Sequence, residues 1–257
     1  MIRFKSLGSG STGNATVVQV RSEHRTTHLL VDCGLGIRQL DKRLGQAGML
    51  AEQLDAIFIT HEHADHIGCA QRLATRERIP VWMSEGTWLG LGQPDFDGLL
   101  RIARDSTPIE VGRMQVMPFT VPHDSREPLQ LTCTDGDVRL GVLTDLGHAT
   151  PHVISHLAGS ATLLLECNHD PQMLENGPYP YFLKRRVGGD WGHLANDAAA
   201  GIAQAVLGRG LKQVVAAHLS EQNNRPDLAR SALHGALGEA VEIHVADGPS
   251  GSGWLTA

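Results

Sequence analysis

Seven consecutive residues, Thr60, His61, Glu62, His63, Ala64, Asp65 and His66, place four metal-binding side chains within six positions. They follow the apolar run Ala56, Ile57, Phe58 and Ile59. Imidazole nitrogens and carboxylate oxygens are donors that zinc, manganese and iron all accept. The chain turns at the end of a strand, so His61 and His63 can address one ion while Asp65 and His66 turn toward a second. Three further candidates, His123, Asp145 and His218, each stand just past a later apolar run. Singly, each would read as a capping Asp or a surface His. Together they complete two three-donor shells, with Asp145 free to bridge. The expected chemistry is hydrolysis assisted by two divalent metal ions, zinc or manganese, with iron also compatible.

Such donors need strand ends to hold them. Apolar runs bounded by turn residues predict strands over 2–7, 15–20, 27–31, 56–60, 81–84, 113–121, 130–134, 138–144, 162–166, 213–217 and 241–245. Helical spacing of apolar residues predicts helices over 37–47, from about 65 onward, and over 150–157, 195–207 and 227–237. Strand runs followed by helices, twice over, predict an α/β fold, a four-layer αββα sandwich. No Gly/Ser or Pro linker separates the halves, so a single domain over 1–257 built from two packed halves is expected.

Composition removes several classes. With 41% hydrophobic and 19% charged residues, and 29 Gly and 12 Pro spread along 257 residues, the chain is not disordered, collagen-like or a coiled coil. No apolar run reaches the length of a membrane span, and the first residues lack a signal-peptide profile. A cytoplasmic protein with no membrane partner is expected. Cys33, Cys69, Cys133 and Cys167 are too widely spaced for a metal knuckle or a dense disulfide framework, and are expected to be reduced. The net charge of −6 argues against non-specific coating of nucleic acid and leaves room for a local basic groove.

The ligand pattern resembles the metallo-β-lactamase fold superfamily, marked by an HxHxDH run with a later His, Asp and His, and the resemblance covers essentially the whole chain. It implies that His61, His63 and His123 hold one metal, that Asp65, His66 and His218 hold the other, and that Asp145 bridges them. Asp32, in Leu-Val-Asp-Cys-Gly, matches the early Asp that orients a ligand from behind. Five finer matches look like the YycJ/WalJ group: residues 6–14, Val121-Pro-His-Asp124, Glu166-Cys-Asn-His-Asp170, Gly192-His-Leu-Ala-Asn196 and residues 218–224. That resemblance implies a phosphodiesterase, namely a 5′→3′ exodeoxyribonuclease with DNA as its substrate, linked to mismatch repair. Composition and spacing by themselves point only to a dinuclear hydrolase. A hydrolase of small cyclic phosphodiesters, thioesters or lactones is the competing reading.

Glu166 and His193 resemble the pair that phosphodiesterases of the tRNase Z type place beside the metals, which makes His193 a candidate general acid oriented by Glu166. Asp65 joins them as a candidate catalytic residue. The plainer alternative is that Glu166 ends a strand and His193 packs. In the run Tyr179-Pro-Tyr-Phe-Leu-Lys-Arg-Arg186, the cations Lys184, Arg185 and Arg186 suit substrate phosphate and the aromatics could stack on a base. The alternative there is a helix with a solvated basic face and an aromatic anchor in the core. The loop 8–14 could line the cleft, but lacks the Lys of a P-loop. His24, His28, His148, His152, His156, His234 and His244 are expected to be structural, and His169 could serve either role. The 48-position separation of Asp145 and His193 leaves no room for a large inserted domain.

Overall fold

The computed structural model describes residues 1–257 except His24 and Asp247, so the structural role expected for His24 lies outside the described residues. Alternation along the first strands creates two apolar faces. In β1 (Ile2–Gly8), β2 (Ala15–Arg21) and β3 (Thr26–Val31), the side chains of Phe4, Val18, Leu29 and Val31 join one core cluster, while Val17 and Leu30 join another. These three strands are antiparallel. The sheet then continues in parallel through β4 (Ala56–Phe58), β5 (Val81–Met83) and β6 (Leu100–Ile102). Its connections contain α1 (Ile37–Gln46), α2 (Ala64–Ile67), α3 (Ala70–Glu77) and α4 (Glu85–Gly90).

The second sheet repeats this plan. An antiparallel series, β7 (Ile109–Val111), β8 (Met114–Thr120), β9 (Leu129–Thr134) and β10 (Arg139–Leu143), leads into parallel β11 (Thr162–Glu166), β12 (Gln213–Ala217) and β13 (Glu242–Val245). Between and after them lie α5 (Pro151–Leu157), α6 (Pro171–Asn176), α7 (Tyr181–Val187), α8 (Asn196–Leu207) and α9 (Pro226–Leu237). The last strand, β14 (Leu255–Thr256), returns to pair with β1 in the first sheet. The strand orders are β14-β1-β2-β3-β4-β5-β6 and β13-β12-β11-β10-β9-β8-β7.

Three apolar layers separate four structural layers, which is the αββα sandwich. Phe4, Val18 and Phe58 of the first sheet meet Val116, Leu131, Leu164 and Val215 of the second in the central layer. Leu40 and Leu44 of α1 and Leu73 of α3 cover the outer face of the first sheet against Leu30 and Ile57. Val153 of α5, Ile202 and Val206 of α8 and Leu233 of α9 cover the second against Leu163 and Val214. Each such side chain, taken fully out of water, contributes about 1.5–3 kcal/mol.

Several boundaries differ from the sequence expectation. The strand expected over 56–60 ends at Phe58, which leaves Thr60 and His61 in the turn. The helix expected from residue 65 is two helices, α2 and α3, separated at Gly68 (φ 32°). The elements β6, β7, α4, α6 and β14 were not anticipated. The four cysteines are free thiols. Because both sheets end in parallel strands, the C-terminal ends of β3, β4, β10, β11 and β12 collect at one rim, where α/β sites form.

Candidate metal centre

Each sheet delivers donors to that rim. The first supplies Asp32 after β3 and His61, His63, Asp65 and His66 after β4. The second supplies His123 after β8, Asp145 after β10, Glu166 at the end of β11 and His218 after β12. In one cluster, His63 Nδ1 lies 3.0 Å from His61 Nε2 and 3.4 Å from His123 Nε2. In the other, Asp65 Oδ2 lies 3.6 Å from His66 Nε2 and 3.8 Å from His218 Nε2. Asp145 Oδ2 stands between them, 2.7 Å from His66 Nε2 and 4.0 Å from His61 Nε2. Both groups are close enough for their donor atoms to share one ion each.

The opposite edge of each ring is pinned. His66 Nδ1 donates to Asp32 Oδ2 at 2.8 Å, and His123 Nδ1 donates to the Gly192 carbonyl at 2.9 Å. His218 Nδ1 lies 3.0 Å from Glu166 Oε1, and His61 Nδ1 contacts the Thr60 hydroxyl at 3.0 Å. Fixing the proton on Nδ1 of His66, His123 and His218 turns the Nε2 lone pair inward, as a metal ligand requires. Thr60 itself is held by Asp32, which accepts from both its N–H and its hydroxyl at 2.9 and 3.0 Å.

Asp145 shows that this donor set suits cations. Both of its oxygens are buried and neither receives a well-aligned hydrogen bond, although imidazole nitrogens lie within 3.0 Å. A carboxylate taken out of water costs several kcal/mol unless positive charge is placed beside it. Divalent ions between the carboxylate and the inward nitrogens would remove that cost, so the residues fit the group.

Electrostatics agree with the ligand roles. Burial pushes His61 and His123 below the ordinary imidazole pKa and keeps them neutral. Burial also opposes charge on His66, but Asp145 and Asp32 outweigh it and raise its pKa to about 10, marking a spot that draws positive charge. His193 is likewise lifted against burial to about 9 by Glu166 and Asp145, whose oxygens lie 2.7 and 3.0 Å from its Nδ1. Burial works to raise Glu166, and His193 with the other imidazoles holds it below its ordinary value. Glu166 Oε2 is anchored by the N–H groups of Leu146 and Leu194 at 2.9 and 3.2 Å.

His63, Asp65, Asp145, His193 and His218 line a cleft of about 410 Å³ whose walls also include Ser11 and Arg186. The structure therefore brings together every sequence-predicted donor, with Asp32, Glu166 and His193 beside them. It does not bring together the three cations. Arg186 lines the cleft and its Nε donates to Asp124 Oδ2 at 2.6 Å, whereas Lys184 and Arg185 line a separate groove on the other flank of α7. Nor do Tyr181 and Phe182 anchor α7 in the core, since both are exposed. His169 is buried in the floor of that second groove, outside the cleft wall. His28 is buried against Gln19, His152 contacts Asp105, and His156 stacks on Phe119.

Sequence reasoning missed Asn14, whose Nδ2 lies 3.0 Å from His66 Nε2 and 3.3 Å from Asp65 Oδ2. It also missed Thr60, Asp124 and the Gly192 carbonyl. The Gly/Ser loop ending at Asn14 was the available signal. Its Ser9 hydroxyl accepts from the N–H of His218 at 2.7 Å, so the loop braces the site as well as lining it.

The profile described as Beta-lactamase superfamily domain matches residues 27–219. Exodeoxyribonuclease YycJ of Bacillus anthracis is 33% identical over 259 residues, which cover 96% of each chain. The chain belongs to the metallo-β-lactamase superfamily, in its YycJ/WalJ group. Exodeoxyribonuclease WalJ of Streptococcus pneumoniae is 30% identical over 93% of this chain and 89% of its own. Among solved structures, the metallo-β-lactamase fold protein YhfI of Bacillus subtilis superposes with a TM-score of 0.76 at 20% identity, covering 99% of both chains. This metallo-β-lactamase superfamily member is a metal-dependent hydrolase. No helix among the described residues is long and apolar enough to cross a membrane.

Proposed function

We propose that this chain is a phosphodiesterase using two divalent ions, zinc or manganese, and that it removes nucleotides from the 5′ end of DNA. The observation that carries the reading is the Asp145–His193–Glu166 arrangement beside the two donor clusters: an imidazole pinned by Glu166 at the cleft wall suits proton donation to a leaving alkoxide. It is supported by the two exodeoxyribonucleases that match over nearly the whole chain.

Ions held by His61, His63 and His123, and by Asp65, His66 and His218, with Asp145 between, would activate water and neutralise charge on the phosphoryl group. The protein's own groups do the rest. His193 gives a proton to the leaving oxygen from Nε2 while Nδ1 stays bound to Glu166. Glu166 holds the ring in that tautomer and stabilises its charge. Asp65 orients the attacking water through its carboxylate, while Asp32 and Thr60 keep His66 in register. Arg186, braced by Asp124 at the cleft wall, faces the substrate phosphates.

The test is an assay on duplex DNA labelled at the 5′ or 3′ end in separate reactions, with manganese or zinc added back and His63→Ala as control. The expected result is loss of nucleotides from the 5′ end by the unaltered protein and none by the variant. Intact DNA together with rapid hydrolysis of a small cyclic phosphodiester would replace this reading with that of a small-molecule hydrolase.

A further inference from the structure

Helix α7 is a ridge between two depressions. Leu183, Arg186 and Val187 face the metal cleft, whereas Tyr181, Lys184 and Arg185 line a groove of about 530 Å³ on the opposite flank. At 100° per residue these are two faces of one helix, and Phe182 falls on the crest between them. No side chain of α7 is buried. Tyr181 and Phe182 are 74% and 72% exposed, and Trp191, just past the helix, is 62% exposed. Large rings left in water along one short segment suit a binding surface.

The charges narrow the ligand. Lys184, Arg185 and Arg186 are consecutive in a chain of net charge −6. Among the described residues, Glu175 is the one carboxylate lining the groove, with the two cations Lys184 and Arg185. The Arg185 guanidinium lies over the Tyr181 ring, 5.9 Å from its centroid, and Lys184 Nζ donates to the Glu175 carbonyl at 2.6 Å. Two rings are thus followed by three cations along one short helix that reaches the cleft wall at Arg186. A ligand made of flat rings joined by anions matches that pattern, whereas an apolar protein surface would meet the rings and strand the cations.

We propose that the ridge and outer groove of α7 carry the continuing single strand of a nucleic-acid substrate whose end lies in the metal cleft. Bases stack on Tyr181 and Phe182, and phosphates sit on Lys184 and Arg185. Arg186 marks where the strand crosses into the cleft. This rests on the nuclease reading above and adds a path for the strand that the cleft alone does not supply. Stacking platforms of this kind tolerate any base, and binding through cations weakens with salt.

The test is fluorescence anisotropy of a labelled 20-nucleotide single strand with phosphorothioate linkages, titrated with the full chain. Two variants are compared, Tyr181→Ala/Phe182→Ala and Lys184→Ala/Arg185→Ala, with thermal melts confirming that both fold. The ring variant is expected to bind roughly tenfold or more weakly for each ring removed. The cation variant is expected to bind more weakly and to lose about 1.4 from the slope of log affinity against log salt, for two phosphates released. If the unaltered protein binds and degrades DNA and both variants match it, the strand path is wrong and the nuclease reading stands. If the unaltered protein neither binds the strand nor degrades DNA, both fail together.

Discussion

Asp32 and His218 are both held in left-handed backbone, at φ 59° and 55°, immediately after β3 and β12. That conformation costs a residue with a Cβ roughly 1–2 kcal/mol, and it persists here because bonds from elsewhere fix it. The Asp32 N–H donates to the Phe58 carbonyl at 2.8 Å and the His218 N–H to the Ser9 hydroxyl at 2.7 Å. The turn swings the Asp32 carboxylate behind His66, where it sets the tautomer of that ring. Asp32→Ala should therefore weaken metal binding about 10–100-fold, read by competition with a coloured chelator; unaltered affinity would remove Asp32 from this role. In the proposed mechanism His193 acts later, on the leaving oxygen. His193→Ala should keep its metal content, measured by mass spectrometry, while turnover falls about 10²–10⁴-fold, and unchanged turnover would exclude proton donation from this ring.

At the scale of elements, the connection between the sheets is tied by Asp105. Its carboxylate accepts from the N–H and hydroxyl of Thr120 at the end of β8, at 2.7 and 3.1 Å, and meets His152 Nε2 of α5 at 2.9 Å. Burial would raise this carboxyl, but the Thr120 N–H, His152 and Ser106 outweigh it and depress its pKa to about 2, below the ordinary value near 3.9. A depressed pKa stabilises the fold above the unfolded value and ceases to do so as pH falls toward 2. The advantage in urea midpoint of the unaltered protein over Asp105→Asn should be full at pH 6, begin to shrink near pH 4 and be smaller at pH 3. An advantage that is constant across these values would refute the assignment. How much was readable beforehand also varies by element. Strands of five or more residues with unbroken apolar runs, such as β11 and β12, announced themselves, and so did the donors grouped after β4. The three-residue β6 and β7, each interrupted by a charged residue, and the two-residue β14 carry no apolar run to detect. Asn14 and the Gly192 carbonyl reach the site only because remote loops fold over it, as Gly34 illustrates: a Cβ there would lie 1.7 Å from the Asp65 carbonyl. Lys184, Arg185 and Arg186 were legible as a cluster, but not as residues parted by the two faces of a helix.

Across the whole molecule, the candidate centre takes His61, His63, Asp65 and His66 from the first sheet and His123, Asp145 and His218 from the second. Ions bound there would join the halves, and a ligand that binds only the folded state stabilises it in proportion to the logarithm of its concentration, by about 2.7 kcal/mol at a hundredfold excess over Kd. Chelation should lower the melting temperature and manganese or zinc should restore it; a melt indifferent to chelator would sever the centre from the fold. The mirrored strand orders carry this further. A break at 103–108, between β6 and β7, would leave one polypeptide holding six strands of the first sheet and the other holding all of the second plus β14, each with part of the coordination set. The two pieces would behave as a heterodimer whose affinity is set by metal, so that a divalent cation becomes the subunit-assembly signal.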